Sequence, residues 1–477
     1  MNNIIIESNV ENYIGDLTEM IRAFDICSDS NDINADRITV NFEKSEFDIK
    51  IIINYDIFYN KTTNNAQHLA DTVCDRVICG EDALKDFAKA KRLAKLKIYE
   101  ILSSLTGITL PYGSLTGIRP TKLYRESNRN AEYFEKTLHV SKEKTELIDS
   151  IVKEQSGLYV CNDKLVDIFI NVPFCTTRCS YCSFISAEIG KVKKYIPSYV
   201  SDLIKEIRDV KRWINDFEYK VRAVYIGGGT PTSLDTESLE SILQECDFEN
   251  EEFTVEAGRP DTITRDKLEI MKIHGVTRIS VNPQSFNDKT LAAIGRNHSV
   301  EDILKVYREA KTYGFTINMD LIAMLPNEDL ADFKYSVDKA IELGPHNITV
   351  HTLSLKRGSK LRESSYERDM SALAGEMIGY SAISMKKAGY KPYYMYRQKY
   401  MSGNLENTGY AKDNTACLYN IDVMEESLSI VANGAGGISK RLYADENRLE
   451  RLANPKGIDV YLDRIDAIIE NKRKFFS

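Results

Sequence analysis

The sequence predicts an α/β protein: a partial barrel of six β/α units, preceded by an α+β domain and followed by a mostly helical one. Three observations lead there. Between residues 166 and about 355, short apolar runs alternate with amphipathic stretches, the signature of parallel strands joined by crossover helices. On either side of that region the pattern changes, near residues 160 and 370. At 477 residues the chain is also too long for one ordinary core. The expected domains are therefore 1–160, 161–370 and 371–477.

In the first domain Ile38, Val40 and Phe42 alternate, and after Lys44-Ser-Glu46 the alternation resumes at Phe47, Ile49, Ile51 and Ile53, which reads as a hairpin. A long helix follows, with Leu84, Phe87, Ala94, Ile98, Leu102 and Leu105 on one side and a lysine-rich, solvated face opposite. Next comes Leu110-Pro-Tyr-Gly-Ser-Leu-Thr-Gly-Ile-Arg-Pro-Thr-Lys122, whose glycines and prolines favour a shaped loop. That loop reads equally as a linker or as an anion site built on Arg119 and Lys122.

In the barrel region the strands are expected over 166–172, 221–227, 253–257, 277–282, 316–323 and 347–353. The helices are expected over 198–214, 236–246, 261–274, 300–313 and 330–343. Right-handed parallel crossovers place functional groups at the carboxyl ends of the strands. After a further helix over 372–387, the segment Tyr390-Lys-Pro-Tyr-Tyr-Met-Tyr-Arg-Gln-Lys-Tyr400 is aromatic and basic. It could line a pocket for a large planar acid, or simply pack.

The formal charge of −8 leaves no basic footprint for nucleic acid. The first residues, Met1-Asn-Asn-Ile-Ile-Ile-Glu7, lack the apolar core of a signal peptide, and no segment reaches the length of a membrane span. A cytoplasmic protein is expected, with no membrane partner. Its nine cysteines should then be reduced, with some used for metal or catalysis.

Three of them carry the strongest signal. Cys175, Cys179 and Cys182 follow the first barrel strand directly, in Phe169-Ile-Asn-Val-Pro-Phe-Cys-Thr-Thr-Arg-Cys-Ser-Tyr-Cys-Ser-Phe184. Thiolates are the expected ligands of iron–sulfur clusters, and three of them leave the fourth iron of a four-iron cluster open for chemistry. Zinc is the weaker reading, because a structural site wants four ligands and neither a paired Cys-x-x-Cys nor a His pair follows. Further polar groups fall at successive strand ends: Gly227-Gly-Gly-Thr230, Glu256, Gln284 and Asp320. Each alone reads as a turn or a cap. Together, around the cysteine loop, they describe a small-molecule site.

With these motifs the chain resembles the radical S-adenosylmethionine superfamily, and within it the oxygen-independent coproporphyrinogen III oxidase-like group of the HemZ type. The resemblance includes Leu115-Thr-Gly-Ile-Arg-Pro-Thr-Lys122, Tyr396-Arg-Gln-Lys399 and Gly403-Asn-Leu-Glu-Asn-Thr-Gly-Tyr-Ala411. It implies a radical-SAM barrel. It implies a 4Fe-4S cluster on Cys175, Cys179 and Cys182, and contacts to S-adenosyl-L-methionine from Phe169, Tyr181, Gly228, Gly229, Thr230, Glu256, Gln284, Arg296 and Asp320. Two departures stand out. Relatives often have Tyr and His where this chain has Phe169 and Asn171, and a fourth cysteine where it has Phe184, an ending shared with the haem-chaperone branch.

The implied reaction is oxidative decarboxylation of coproporphyrinogen III to protoporphyrinogen IX, in haem biosynthesis. A propionate C–H bond is too inert for a base at neutral pH, so a radical derived from S-adenosylmethionine must take the hydrogen, with electrons from an unidentified donor. A substrate with four carboxylates calls for cationic forks, for which Arg119, Arg397 and Lys399 are the candidates. The alternatives are a haem chaperone of the same group or a radical enzyme with another substrate.

Overall fold

The computed structural model describes residues 4–24, 36–45, 48–61, 65–78, 83–117, 119–184, 186–354, 359–363, 371–398 and 401–477. It divides into two compact units. One comprises Met1–Asp149 with residues 397–399 and 403–405, and the other comprises the remainder from Ser150 onward.

In the first unit four strands, β1 (Ile4–Ser8), β2 (Asp36–Lys44), β3 (Asp48–Lys61) and β4 (Asn65–Ile78), form one sheet in sequence order. The hairpin expected around residue 45 is β2–β3, paired from Lys44 with Ile49 onward. Ile38, Val40, Ile49, Ile51 and Ile53 are buried on one face because side chains alternate across a strand. Against that face pack the helices Glu11–Ala23 and Ala83–Thr106 through Leu17, Met20, Ala90, Ala94, Ile98 and Leu102. Burying a side chain of this size is worth about 1.5–3 kcal/mol.

Two positions show what shapes the Gly/Pro-rich stretch after the long helix. Gly113 has φ +52°, and a Cβ there would meet the Leu138 carbonyl at 2.1 Å, so no other residue fits without rearrangement. Pro120 opens a short helix, Pro120–Glu126, at its first turn, where a missing N–H costs nothing.

The second unit is built on a single sheet. Its strands are β5 (Leu165–Val172), β8 (Lys220–Gly228), β9 (Glu252–Gly258), β10 (Arg278–Val281), β11 (Thr316–Ala323), β12 (Asn347–Thr352), β13 (Lys391–Tyr396), β14 (Asn407–Ala411), β15 (Ser429–Asn433), β16 (Ile438–Tyr443) and β17 (Arg448–Ala453). A separate pair, β6 (Phe174–Cys175) and β7 (Ala187–Glu188), follows β5. The six expected strands, β5, β8, β9, β10, β11 and β12, lie side by side and parallel in that order.

The intervening helices carry the starts their sequences imply. Asp235 and Thr264 cap theirs, and Ser299 with Asp302 and Asp329 with Asp332 form capping boxes. Gly344 closes the helix Leu330–Leu343 in the left-handed conformation.

Apart from residues 397–399 and 403–405, the chain after residue 370 groups with the barrel in the second compact unit, which begins at Ser150. The tail does supply helices, Ser371–Lys387, Leu418–Glu425 and Ile465–Phe476 among them, but it also extends the sheet at both ends. β14 and β13 add antiparallel beyond β12. At the other end β15 adds parallel to β5, making a seventh parallel strand, with β16 and β17 beyond it. A five-residue run such as Ser-Ile-Val-Ala-Asn is too short to disclose its partner, which lies more than 250 positions earlier in the chain.

Candidate functional site

Inside the sheet, one polar layer lies at the amino ends of the strands and another at the carboxyl ends. At the amino ends the helix Leu418–Glu425 closes the floor. The Glu252 carboxylate accepts from Cys417 Sγ (3.0 Å) and from the backbone N–H groups of Leu418 (3.3 Å) and Tyr419 (3.4 Å), and it pairs with Arg278 at 3.0 Å. Arg222 pairs with Asp422 at 3.1 Å, both fully buried. Burial, with Asp422 beside it, pushes the Asp167 carboxyl well up. Above this layer Tyr419 stacks on Tyr225 with ring centroids 4.3 Å apart, and Phe169 stacks on both at 6.2–6.3 Å.

At the carboxyl ends the cysteine loop is pinned at both sides. The Ala187 N–H donates to the Pro173 carbonyl (2.8 Å) and the Thr230 N–H to the Phe174 carbonyl (2.7 Å). The glycine run permits this approach: a Cβ on Gly229 would lie 2.5 Å from the Phe174 carbonyl, one on Gly228 would overlap Asn171 Oδ1, and one on Gly227 would stand 2.8 Å from Glu256 Oε2. Across the loop, the Ser180 N–H donates to the Ile294 carbonyl and Thr177 Oγ1 to the Gly295 carbonyl.

Cys175 and Cys179 are buried and Cys182 is half-buried. Cys175 Sγ lies 3.5 Å from Thr230 Oγ1. Burial raises the Cys175 thiol and pushes Cys182 up to about 11, and the neighbouring cysteines add to both shifts. These thiols are therefore protonated unless a cation draws off the proton, which is what binding to a metal does. Among the described residues no three Cys, His, Asp or Glu side chains converge as ligands of one metal ion. Thiolates are the ligands that iron–sulfur groups take, and three of them stand on this one loop.

Glu256, Gln284, Arg296 and Asp320 come together around the mouth. Burial first and the Asp320 charge second push the Glu256 carboxyl up to about 7. Gln284 adopts φ +68°, a left-handed conformation that costs a non-glycine residue about 1–3 kcal/mol. It is held there by bonds from its N–H to the Asp320 carbonyl (2.9 Å) and from the Ile322 N–H to its own carbonyl (3.0 Å). Arg296 donates to the Asn282 carbonyl (2.6 Å) and to the Tyr181 hydroxyl (3.3 Å). Asn318 Nδ2 donates to Asp320 Oδ1 (2.8 Å), and His351 Nε2 stands 3.7 Å from Asp320 Oδ2. Gln284 Oε1, Asn282 Oδ1 and Arg296 Nε are buried without a hydrogen-bond partner among the described residues. Each such atom costs roughly 1–3 kcal/mol, a cost that a polar ligand would remove.

Three residues of this site carry no sequence motif: Tyr225, Tyr419 and His351. Tyr225 was legible in principle, since it stands two places before Gly227 on the same side of β8. Tyr419 was not, because it arrives from the floor helix.

Of the substrate candidates, Arg119 is half-buried at the start of the helix Pro120–Glu126. Arg397 is buried in the first unit. Its guanidinium lies 4.1 Å above the Tyr112 ring and donates to the Leu115 carbonyl and to the Asn404 carbonyl (2.9 Å) and Oδ1 (2.7 Å). In this structure that guanidinium ties loops together. Lys399 lies outside the described residues.

Parallel β/α units with a three-cysteine loop after the first strand and a glycine run after the second define a class, the radical SAM superfamily, whose sequence pattern matches residues 170–340. Over 409 residues the chain is 37% identical to the oxygen-independent coproporphyrinogen-III oxidase-like protein HemZ of Bacillus subtilis, covering 82% of this chain and 81% of that one. The chain belongs to the HemZ-type, coproporphyrinogen-III oxidase-like family of radical SAM proteins. It is also 29% identical over 306 residues to the haem chaperone HemW of Haemophilus influenzae, covering 61% of this chain and 75% of that one. Among solved structures, coproporphyrinogen III oxidase (HemN) of Escherichia coli, described as a radical SAM enzyme, matches with a TM-score of 0.51 over 66% of this chain and 72% of that one. At 18% identity that match establishes the shared fold. No helix of the described residues is long and apolar enough to cross a membrane.

Proposed function

We propose that this chain is a radical S-adenosylmethionine oxidoreductase that decarboxylates two propionates of coproporphyrinogen III to vinyl groups, giving protoporphyrinogen IX without oxygen. The observation that carries the reading is the meeting of the three-thiol loop with a mouth of unpartnered buried polar atoms, Gln284 Oε1, Asn282 Oδ1 and Arg296 Nε, in a chain of this family.

The donor set fits the family's cofactors. Cys175, Cys179 and Cys182 would hold the 4Fe-4S cluster. Phe169, Tyr181, Gly228, Gly229, Thr230, Glu256, Gln284, Arg296 and Asp320 would hold S-adenosylmethionine. Bound together, the two supply one-electron chemistry able to remove hydrogen from an unactivated carbon, which no side chain here can do.

The protein's own part is binding, orientation and dryness. The glycine run presents backbone N–H groups with no side chain in the way. Glu256 and Asp320 offer acceptor oxygens to hydroxyl or ammonium donors. Tyr225, Tyr419 and Phe169 form an apolar floor that keeps water from the reacting carbon. A cytoplasmic electron donor must reach the cysteine loop, and the substrate's carboxylates call for cations, for which Arg119 is a candidate.

One observation favours a haem-carrying role instead: Phe184, directly after the loop, is 67% exposed. The deciding experiment is anaerobic incubation of reconstituted protein with coproporphyrinogen III, S-adenosylmethionine and a reductant. Protoporphyrinogen, carbon dioxide and 5'-deoxyadenosine are the expected products. Tight haem binding with 5'-deoxyadenosine formation but no carbon dioxide would establish the carrier.

A further inference from the structure

Beside the cysteine loop, buried Arg259 and His298 meet the more exposed Asp261 in a cluster that the proposed chemistry leaves unused. Arg259, just past β9, is 3% exposed. Through one terminal nitrogen it donates to the Thr177 carbonyl (3.1 Å), to Thr177 Oγ1 (2.9 Å) and to Cys179 Sγ (3.8 Å). Through Nε and the other terminal nitrogen it forks onto Asp261 at 3.1 and 3.0 Å. His298 Nδ1 stands 3.2 Å from Asp261 Oδ1, and Thr176 Oγ1 donates to Asp261 Oδ2 at 3.2 Å. Although burial opposes it, the bonds from His298 and Arg259 hold the Asp261 carboxyl well below the usual carboxylate range, so the fork is an ion pair.

The three thiols are therefore unequal. Cys175 faces the hydroxyl of Thr230, whereas Cys179 lies against the Arg259 guanidinium. A hydrogen bond and a positive charge at a ligating sulfur favour the more negative, reduced state of an iron–sulfur group, and the anchor behind the donor fixes its aim. An arginine pinned at both ends loses little freedom in making that contact.

We propose that Arg259 is a positioning residue that sets the reduction potential of the iron–sulfur group through Cys179, with Asp261 and His298 holding the guanidinium in place. The inference rests on the cluster reading above. The reduction in question adds one electron from an external one-electron donor, and Arg259 neither gains nor loses a proton in it.

The test is a dithionite titration of the reconstituted protein, mediated by dyes and followed by the paramagnetic signal of the reduced cluster, with iron content measured alongside. Arg259→Gln should keep its iron and shift the midpoint to more negative potential, by about 59 mV for each tenfold loss in the reduced-to-oxidised ratio. Arg259→Lys, which keeps the charge but not the fork, should shift it less. An Arg259→Gln protein with full iron and an unchanged midpoint would overturn the proposal. So would loss of iron from both variants with unchanged thermal stability, since Arg259 would then only hold the loop shut. A wild-type protein that takes up no iron removes the cluster reading itself, and this inference with it.

Discussion

The floor and the mouth of the barrel are made from the same residue types, and they differ in how completely those residues are satisfied. At the floor Glu252 accepts from a thiol, two backbone N–H groups and an arginine, and Arg278 reaches on to the Thr415 and Ala416 carbonyls. At the mouth Gln284 sits in a left-handed conformation with its side-chain oxygen unpartnered, beside two more orphaned polar atoms and the three-thiol loop. Satisfied buried charge holds structure together, whereas unsatisfied buried polarity waits for a ligand. Asp167 and one oxygen of Asp422 are exceptions at the floor, without hydrogen-bond partners among the described residues, and burial raises both carboxyls.

The largest expected effect is at the mouth. Replacing Cys175, Cys179 or Cys182 by Ala should abolish iron uptake and every cofactor-dependent product, while the apo protein melts within a few degrees of wild type. A triple variant that retained full iron would break the comparison at its strongest point. At the floor the reverse is expected. Arg278→Met strands the Glu252 carboxylate in the interior and should destabilise the unit by about 3–5 kcal/mol in denaturant unfolding. Wild-type stability in that variant would mean that the floor pair is not structural.

Glu256→Gln sharpens the comparison through pH. Because the native carboxyl titrates near 7 rather than near 4.5, the native state holds a proton that the unfolded chain has lost between those values. Wild-type stability should therefore fall as pH rises from about 4.5 to 7 and then level off. The Gln variant should lose that slope and gain roughly 3 kcal/mol at pH 8 in the apo protein. Parallel stability–pH curves for the two proteins would show that Glu256 is not desolvated. The smallest effect belongs to Asp320→Asn. Weaker S-adenosylmethionine binding is expected, by about tenfold or 1.4 kcal/mol in calorimetry, with thermal stability nearly unchanged. A variant that unfolds yet binds normally once folded would return Asp320 to the scaffold.

The sequence by itself determined what depends on local order. The strand–helix alternation from Leu165 to Thr352 emerges with boundaries within a few residues, because period and capping are local properties. The cysteine loop was legible for the same reason: three ligands within eight positions need no distant partner to be noticed. Tertiary structure decided the rest. It placed β15 beside β5, carried Tyr419 up through the floor onto Tyr225, turned Arg397 inward and set Arg259 against Cys179. None of these has a periodic or spaced signature, because each contact joins segments from about 80 to nearly 300 positions apart. Such pairings are selected by the packing energy of the whole sheet, which no stretch of the chain expresses alone.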